Sequence, residues 1–305
     1  MVLVDTARTP EGGPLGTAGD WPCVACRSSD VSDEGVCADC GRTQPTGRDR
    51  MVADLGLVAG ISDRGRRRAR NEDSMAFGVV TDGTPTVVAV VCDGVATSDR
   101  GDSAAQRAVD EALAVLLDAA GEGGDAEAAT RAAVARAIEG VTALADPEKA
   151  GTAPSCTFVS AVVTATTVTV GWVGDSRAYW LAGSDARLLT ADDTVAAELV
   201  AEGMSEEQAM SAYQAHALSR WIGADAGAIE PRTLTLTPDG PGQVLLCSDG
   251  LWNYLPEPAA LVEALPGDPA EVVPLTGADE LTRVALELGG HDNVTTVLVP
   301  FPPAP

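Results

Sequence analysis

Four aspartates stand at the ends of apolar runs that read as strand cores. Asp93 closes TVVAVVC, Asp175 follows VTVGWVG, Asp249 follows VLLCS, and Asp292 shortly precedes VTTVLV. Three of them adjoin a glycine. One such aspartate is an ordinary turn residue. Four carboxylates gathered at one edge of a sheet core would repel one another strongly unless cations held them, so the pattern reads as a metal site. Ligands that are all carboxylate oxygens select hard cations, Mg²⁺ or Mn²⁺, over zinc.

A second set of ligand types is soft. Cys23-x2-Cys26-x10-Cys37-x2-Cys40 sets two thiol pairs at zinc-ribbon spacing. Roughly 20 residues cannot build a core, so bound Zn²⁺ would supply the folding energy of this knuckle. The competing reading of C-x-x-C is a redox pair, but that motif sits at the strand–helix junction of a larger fold, which this segment lacks; structural Zn²⁺ is preferred. Cys92, Cys156 and Cys247 lie in or beside apolar runs and read as small buried hydrophobes.

Composition removes other chemistries. The formal net charge of the 305 residues is -25, which argues against a nucleic-acid partner. Only two histidines are present, His216 and His291. His216 reads as structural and His291 as a neighbour of the Asp292 turn, so Ser-His-Asp and Cys-His hydrolysis are not expected. No G-x-x-x-x-G-K-[ST] string occurs, which excludes a P-loop nucleotidase. No run approaches the ~18 apolar residues of a membrane span. The opening MVLVDTARTPEGG does not resemble a secretory signal, so a cytoplasmic chain is expected.

The elements that must carry these residues follow from periodicity. Residues 86–92, 157–164, 167–174, 177–182, 243–247 and 294–299 read as strands. Residues 102–119, 126–145, 194–213, 258–265 and 278–288 read as helices. The expected organisation is a flexible tail over 1–20, the knuckle over 21–42, a linker over 43–51 and one folded domain over 52–300.

Six strings, SDRGRRRARNEDS (62–74), VVCDG (90–94), GWVGDSRAYWL (171–181), LTADDT (189–194), LLCSDGLW (245–252) and GGHDNVT (289–295), resemble in order the signature blocks of the type 2C family of metal-dependent serine/threonine protein phosphatases, in its bacterial form. The resemblance covers about residues 55–300. It implies an α+β fold: a four-layer αββα sandwich of two antiparallel sheets flanked by helices, here preceded by the four-cysteine zinc knuckle. It implies that Asp93 bridges two metal ions and that Gly94 lends its carbonyl to one. Asp249 and Asp292 would complete the other shell, and Asp175 with Asp249 would hold a third ion. Arg68 would clamp the substrate phosphate, with Glu72 and Asp73 acting behind the ligands through water or hydrogen bonds. A guanidinium fork suits that task better than an ammonium. Arg64, Arg66 and Arg70 read instead as a solvated, salt-bridged turn.

The sequence departs from the family pattern in places. The D-G-x-G-G block reads Asp93-Gly94-Val95-Ala96-Thr97, which puts the following turn in doubt, and the G-T-T block reads Ser155-Cys156-Thr157, where a packing role is preferred. The family's mobile flap maps to about 195–217, before the stretch Leu218–Gly223. The implied function is hydrolysis of phosphoserine and phosphothreonine on proteins by a metal-bridged hydroxide, with two or three Mg²⁺ or Mn²⁺ ions. Partners would be Ser/Thr-phosphorylated proteins and a Ser/Thr kinase. The alternative is a catalytically weak, phosphatase-like regulator that binds phosphoproteins and is recruited through its zinc knuckle.

Overall fold

The computed structural model describes residues 3–8, 23, 26, 28–30, 32, 36–41, 47–146, 153–227 and 229–303. In chain order its elements are β1 (Leu3–Arg8), β2 (Arg50–Asp54), β3 (Ala59–Asp63), β4 (Ser74–Asp82), β5 (Thr84–Cys92), α1 (Gly101–Glu122), α2 (Ala126–Thr142), β6 (Ser155–Cys156), β7 (Phe158–Val163), β8 (Val168–Val173), β9 (Arg177–Leu181) and β10 (Arg187–Leu188). They continue as α3 (Val195–Ala201), α4 (Glu206–Met210), β11 (Ile222–Gly223), β12 (Arg232–Leu236), β13 (Gly242–Cys247), α5 (Asp249–Trp252), α6 (Pro258–Ala264), α7 (Pro274–Leu288) and β14 (Val294–Phe301).

A strand that is apolar on both faces must be covered on both. In β5, Val87, Ala89 and Val91 face one core while Val88, Val90 and Cys92 face another. β13 divides likewise, with Val244 and Leu246 on one side and Leu245 and Cys247 on the other. The result is two antiparallel six-stranded sheets, ordered β1-β4-β5-β7-β8-β12 and β10-β9-β13-β14-β3-β2. Their inner faces share the core that holds Phe77, Val91, Trp180 and Val297. The outer face of the first sheet packs on α1 and α2, and that of the second on α5, α6 and α7. This is the αββα sandwich the resemblance implied.

The helices fit their places for local reasons. In α1 the buried residues Ala104, Ala105, Ala108, Val109, Ala112, Leu113, Leu116 and Leu117 repeat at helical spacing, and Gly123 closes the helix at φ 68°. Asp125 caps α2 by accepting from Ala128 N at 2.7 Å.

Several expectations need correction. Residues 3–8 are not a loose tail: β1 pairs with β4 in register from Leu3↔Thr81 to Arg8↔Ala76. Residues 9–22 lie outside the described residues. The linker also shrinks, because residues 47–49 form a 3-10 turn and Arg50 already begins β2. Arg48 donates to Gln106 and Ser74 at 3.2 Å each, and Arg50 pairs with Asp63 at 2.7 Å and Asp279 at 2.9 Å. Residues 42–46 lie outside the described residues. The single helix read over 194–213 is two, α3 and α4, because Gly203 at φ 100° turns the chain and Ser205 caps the second. Finally α7 begins earlier than residue 278, at Pro274, whose ring suits the first helical turn.

Candidate metal centre

Asp93 follows β5, Asp175 follows β8, Asp249 opens α5 just after β13, and Asp292 shortly precedes β14. Arg68, Glu72, Asp93, Gly94, Asp175, Asp249 and Asp292 all line one cleft of about 130 Å³, and Asp73 lies buried behind it. The D-G pairs follow from close approach. A Cβ on Gly94 would meet the Gly101 carbonyl oxygen at 2.5 Å, and one on Gly250 would meet the Asn293 carbonyl oxygen at 1.9 Å. Only glycine lets these segments pass.

The turn after Gly94 does not need the family's later glycines. Val95, Ala96 and Thr97 are not among the residues at positive φ, and the segment closes through Val95 N to Ser155 O at 3.0 Å and Ser98 N to Val95 O at 2.9 Å. Arg100, at φ 56°, takes the left-handed conformation instead, at the start of α1.

The electrostatics are those of crowded, desolvated acids. Burial pushes the Asp93 carboxyl well above its ordinary range, and Asp73, Asp249, Asp175 and Asp292 push it further. Burial likewise raises Asp249, reinforced by Asp292, Asp175 and Asp73 and opposed by Arg68. Asp175 is raised to about 7, first by burial and then by Asp192. Asp73 is raised to about 6 by burial, against hydrogen bonds from Ser248 and Thr295 at 2.7 Å each. At the mouth, Arg68 donates to the Asp292 carboxylate. Asp249 Oδ1 is buried and has no hydrogen-bond partner. A buried carboxylate oxygen left unpaired, amid like charges and one guanidinium, fits a hard cation.

Residues that the motifs did not assign hold the ligands in place. Thr157 lines the cleft, and its hydroxyl accepts from Asp93 N at 3.0 Å, so the packing-only reading of that position is wrong. Trp252 Nε1 donates to the Asp175 carbonyl at 2.9 Å; Arg177 lies 3.8 Å over the Trp252 ring and is itself held by both oxygens of Asp192, at 2.9 and 2.7 Å. Asp193 accepts from Gly174 N at 3.1 Å and pairs with Arg220 at 3.3 Å and Arg232 at 2.8 Å, tying the Asp175 turn to the base of the flap. Asn293 accepts from Glu72 N at 2.8 Å and donates to the carbonyls of Arg64 and Arg70. All but Thr157, Arg220 and Arg232 stood inside quoted motif strings, so their presence was visible and their partners were not.

The basic island divides as expected for two of its members: Arg64 pairs with Asp49 at 3.5 Å and Arg70 with Glu72 at 3.3 Å. Arg66 and Arg67 are exposed. Neither histidine lines the cleft. His291 is exposed and its backbone N–H donates to Tyr254 Oη at 3.0 Å. His216 is also exposed rather than a packed structural residue.

The second ligand set is assembled too. The sulfurs of Cys23, Cys26, Cys37 and Cys40 all lie within 4.8 Å of one another, with Cys23 to Cys40 at 3.6 Å and Cys26 to Cys37 at 3.5 Å. Zn–S bonds of about 2.3 Å in a tetrahedron place sulfurs about 3.8 Å apart. Cys92, Cys156 and Cys247 are buried, as read.

Residues 63–267 match the family model of protein phosphatase 2C. The chain belongs to that family. It is a metal-dependent serine/threonine protein phosphatase. The phosphatase is 31% identical over 245 residues to the serine/threonine phosphatase stp of Listeria monocytogenes, an alignment covering 78% of this chain and 93% of that protein. It is also 31% identical over 242 residues to the serine/threonine protein phosphatase PstP of Mycobacterium tuberculosis, covering 79% of this chain and 44% of that protein. The crystal structure of the PstP catalytic domain in complex with 2 manganese ions superposes with a TM-score of 0.63 and 30% identity, over 80% of this chain and 97% of that one. Among the described residues no helix of the phosphatase is long and apolar enough to cross a membrane.

Proposed function

We propose that the phosphatase removes phosphate from phosphoserine and phosphothreonine in proteins at the Asp93–Asp249–Asp292 cleft. The observation that carries this reading is the buried Asp249 oxygen without a partner, in a cleft that gathers the four aspartates under one arginine. Asp93, the Gly94 carbonyl, Asp249 and Asp292 would hold two Mg²⁺ or Mn²⁺ ions, and Asp175 with Asp249 a third. Such ions, when bound, supply Lewis-acid polarisation of the phosphoryl group and lower the pKa of water to the neutral range.

The chain's own part is binding and orientation. Arg68 stands at the mouth, 37% exposed, with its guanidinium free to present two parallel N–H groups to phosphate oxygens once it shares or leaves Asp292. Asp73 sits fully buried beneath the ligands, held by the Ser248 and Thr295 hydroxyls, and keeps negative charge there that favours cations. Neither histidine lines the cleft, so no imidazole is placed to protonate the leaving oxygen, and water would supply that proton. The knuckle is a separate structural site for Zn²⁺. Because β1 precedes it and β2 follows it, the knuckle is an insertion between two strands of the sandwich rather than a leading domain.

The test is hydrolysis of a generic aryl phosphate with Mn²⁺, beside a chelated sample and Asp249→Asn, with Mn²⁺ binding followed calorimetrically. Turnover and Mn²⁺ binding by the parent chain, both lost in Asp249→Asn, are expected. Turnover that survives chelation or the substitution would sink the reading. A parent chain that binds Mn²⁺ and phosphopeptides without turning them over would establish the phosphoprotein-binding alternative.

A further inference from the structure

Beside the metal cleft lies a larger hollow of about 410 Å³. One wall is the turn after Gly94, residues 95–98, and the other is the returning end of the flap with Trp221 and Asp225. Val95, Ala96 and Leu218 line both the hollow and the cleft, so a chain whose phosphorylated residue enters the cleft has its neighbouring side chain beside the hollow.

The lining changes character away from the cleft. The shared residues are aliphatic. Beyond them stand the hydroxyls of Thr97, Ser98 and Ser155, the exposed His216, and Trp221, half-buried, whose Nε1 donates to the exposed Asp225 carboxylate at 3.0 Å. An aliphatic approach from the cleft that leads, past hydroxyls, to an indole beside the hollow's single carboxylate is complementary to a side chain with an apolar stem and a cationic head. The long-range field agrees, since a net charge of -25 draws cations to the surface. The Arg68 segment is the exception, because Arg66 and Arg67, which directly precede Arg68 in the chain, are exposed. A basic neighbour of the phosphorylated residue is therefore directed away from that segment and towards Trp221.

We propose that this hollow is the subsite for a lysine or arginine flanking the phosphorylated residue, which makes phosphopeptides with a basic neighbour the preferred substrate class. The proposal rests on the reading of the cleft as the phosphoserine and phosphothreonine site. Its occupant follows from continuity with that cleft and from charge.

The experiment uses the full chain with Mn²⁺ and a set of phosphoserine peptides of one length. A single arginine is walked through the three positions on either side of the phosphoserine in an alanine background, then replaced by leucine or glutamate at the best position. At one position arginine is expected to raise kcat/KM about tenfold over leucine, consistent with a desolvated cation–π contact and a charged hydrogen bond. Asp225→Asn should cut that preference to about twofold, and Asp225→Lys should turn it towards glutamate, while aryl phosphate turnover stays unchanged in both. A preference for leucine would show an apolar subsite and overturn the proposal. So would an arginine preference that Asp225→Asn leaves intact, or no preference at any position. Aryl phosphate carries no flanking residue, so its turnover reports the cleft alone. Its failure in the parent chain overturns the reading of the cleft and the subsite together, whereas intact aryl turnover without arginine preference overturns only the subsite.

Discussion

The Thr157 hydroxyl accepts the backbone N–H of Asp93 at 3.0 Å, and the Thr157 N–H donates to the Asp93 carbonyl at 2.8 Å. The hydroxyl also shares a 2.7 Å hydrogen bond with Ser176. Thr157, the residue between β6 and β7, thus grips both the N–H and the carbonyl of Asp93. Partners of this kind are worth about 10–100-fold in metal affinity. Thr157→Val is expected to weaken Mn²⁺ binding by about that much, and Thr157→Ser to keep most of it; titration calorimetry measures both. Loss in Thr157→Ser with Thr157→Val intact would assign the effect to the methyl group instead.

Arg68 should act on substrate rather than on metal. Hydrogen bonds to charged groups contribute about 1.5–3 kcal/mol. Arg68→Ala is expected to lower kcat/KM for an aryl phosphate by about 10–150-fold, chiefly through KM, and Arg68→Lys to recover only part of it. Mn²⁺ affinity should change little. A loss of Mn²⁺ binding equal to the loss of activity would show that the Arg68–Asp292 pair serves the metal site first.

The crowded acids make the metal-free protein unusual in its response to pH. Burial raises Asp73 to about 6 and Asp175 to about 7, above the unfolded value near ~3.9. Between about pH 4 and 7 the folded chain therefore holds more protons than the unfolded chain, so these groups make unfolding easier as pH rises through that window. Below it both states are protonated and the cost is absent. The Tm of chelated protein should fall from pH 5 to 7.5 while that of Mn²⁺-loaded protein stays level, so the metal-induced shift grows with pH. Asp249→Asn should flatten the fall. A chelated Tm that rises over the range would contradict the electrostatic account.

The knuckle and the strand before it separate experimentally. Cys37→Ser with Cys40→Ser should release zinc, read with a colorimetric chelator, and leave aryl phosphate turnover within about twofold, since carboxylates and thiolates choose different ions. Deleting residues 1–46 should do more, because it also removes β1 and uncovers the edge of β4. A loss of about 1–2 kcal/mol would lower Tm by several degrees in a domain of about 250 residues. If the deletion and the double substitution give the same Tm, β1 contributes nothing to stability.

Much of this protein was legible without coordinates, and for identifiable reasons. Strands such as TVVAVVC announce themselves because burial on both faces leaves no polar residue, and the D-G pairs mark where such strands must turn sharply. Ligand chemistry was legible too, since carboxylate and thiolate choose their ions whatever surrounds them. Where local reading failed, a distant partner had decided the outcome. Residues 3–8 look like tail because an exposed edge strand needs no strict alternation, and only pairing with β4 makes them a strand. The helix over 194–213 broke at Gly203, whose cost in a continuous helix was visible but whose turn was not.

Residue types and their order along the chain pointed to the family through six ordered strings, to the four layers through that resemblance, and to two kinds of metal ligand through the chemistry of carboxylate and thiolate. Tertiary structure alone decided that Thr157 grips Asp93, that Trp252 holds the Asp175 carbonyl, that one Asp249 oxygen is left without a partner, and that Trp221 and Asp225 stand beside the cleft. These are contacts between residues far apart in the chain. Sequence spacing carries no distance across a sandwich, and hydrogen bonds have no reach beyond about 3.5 Å.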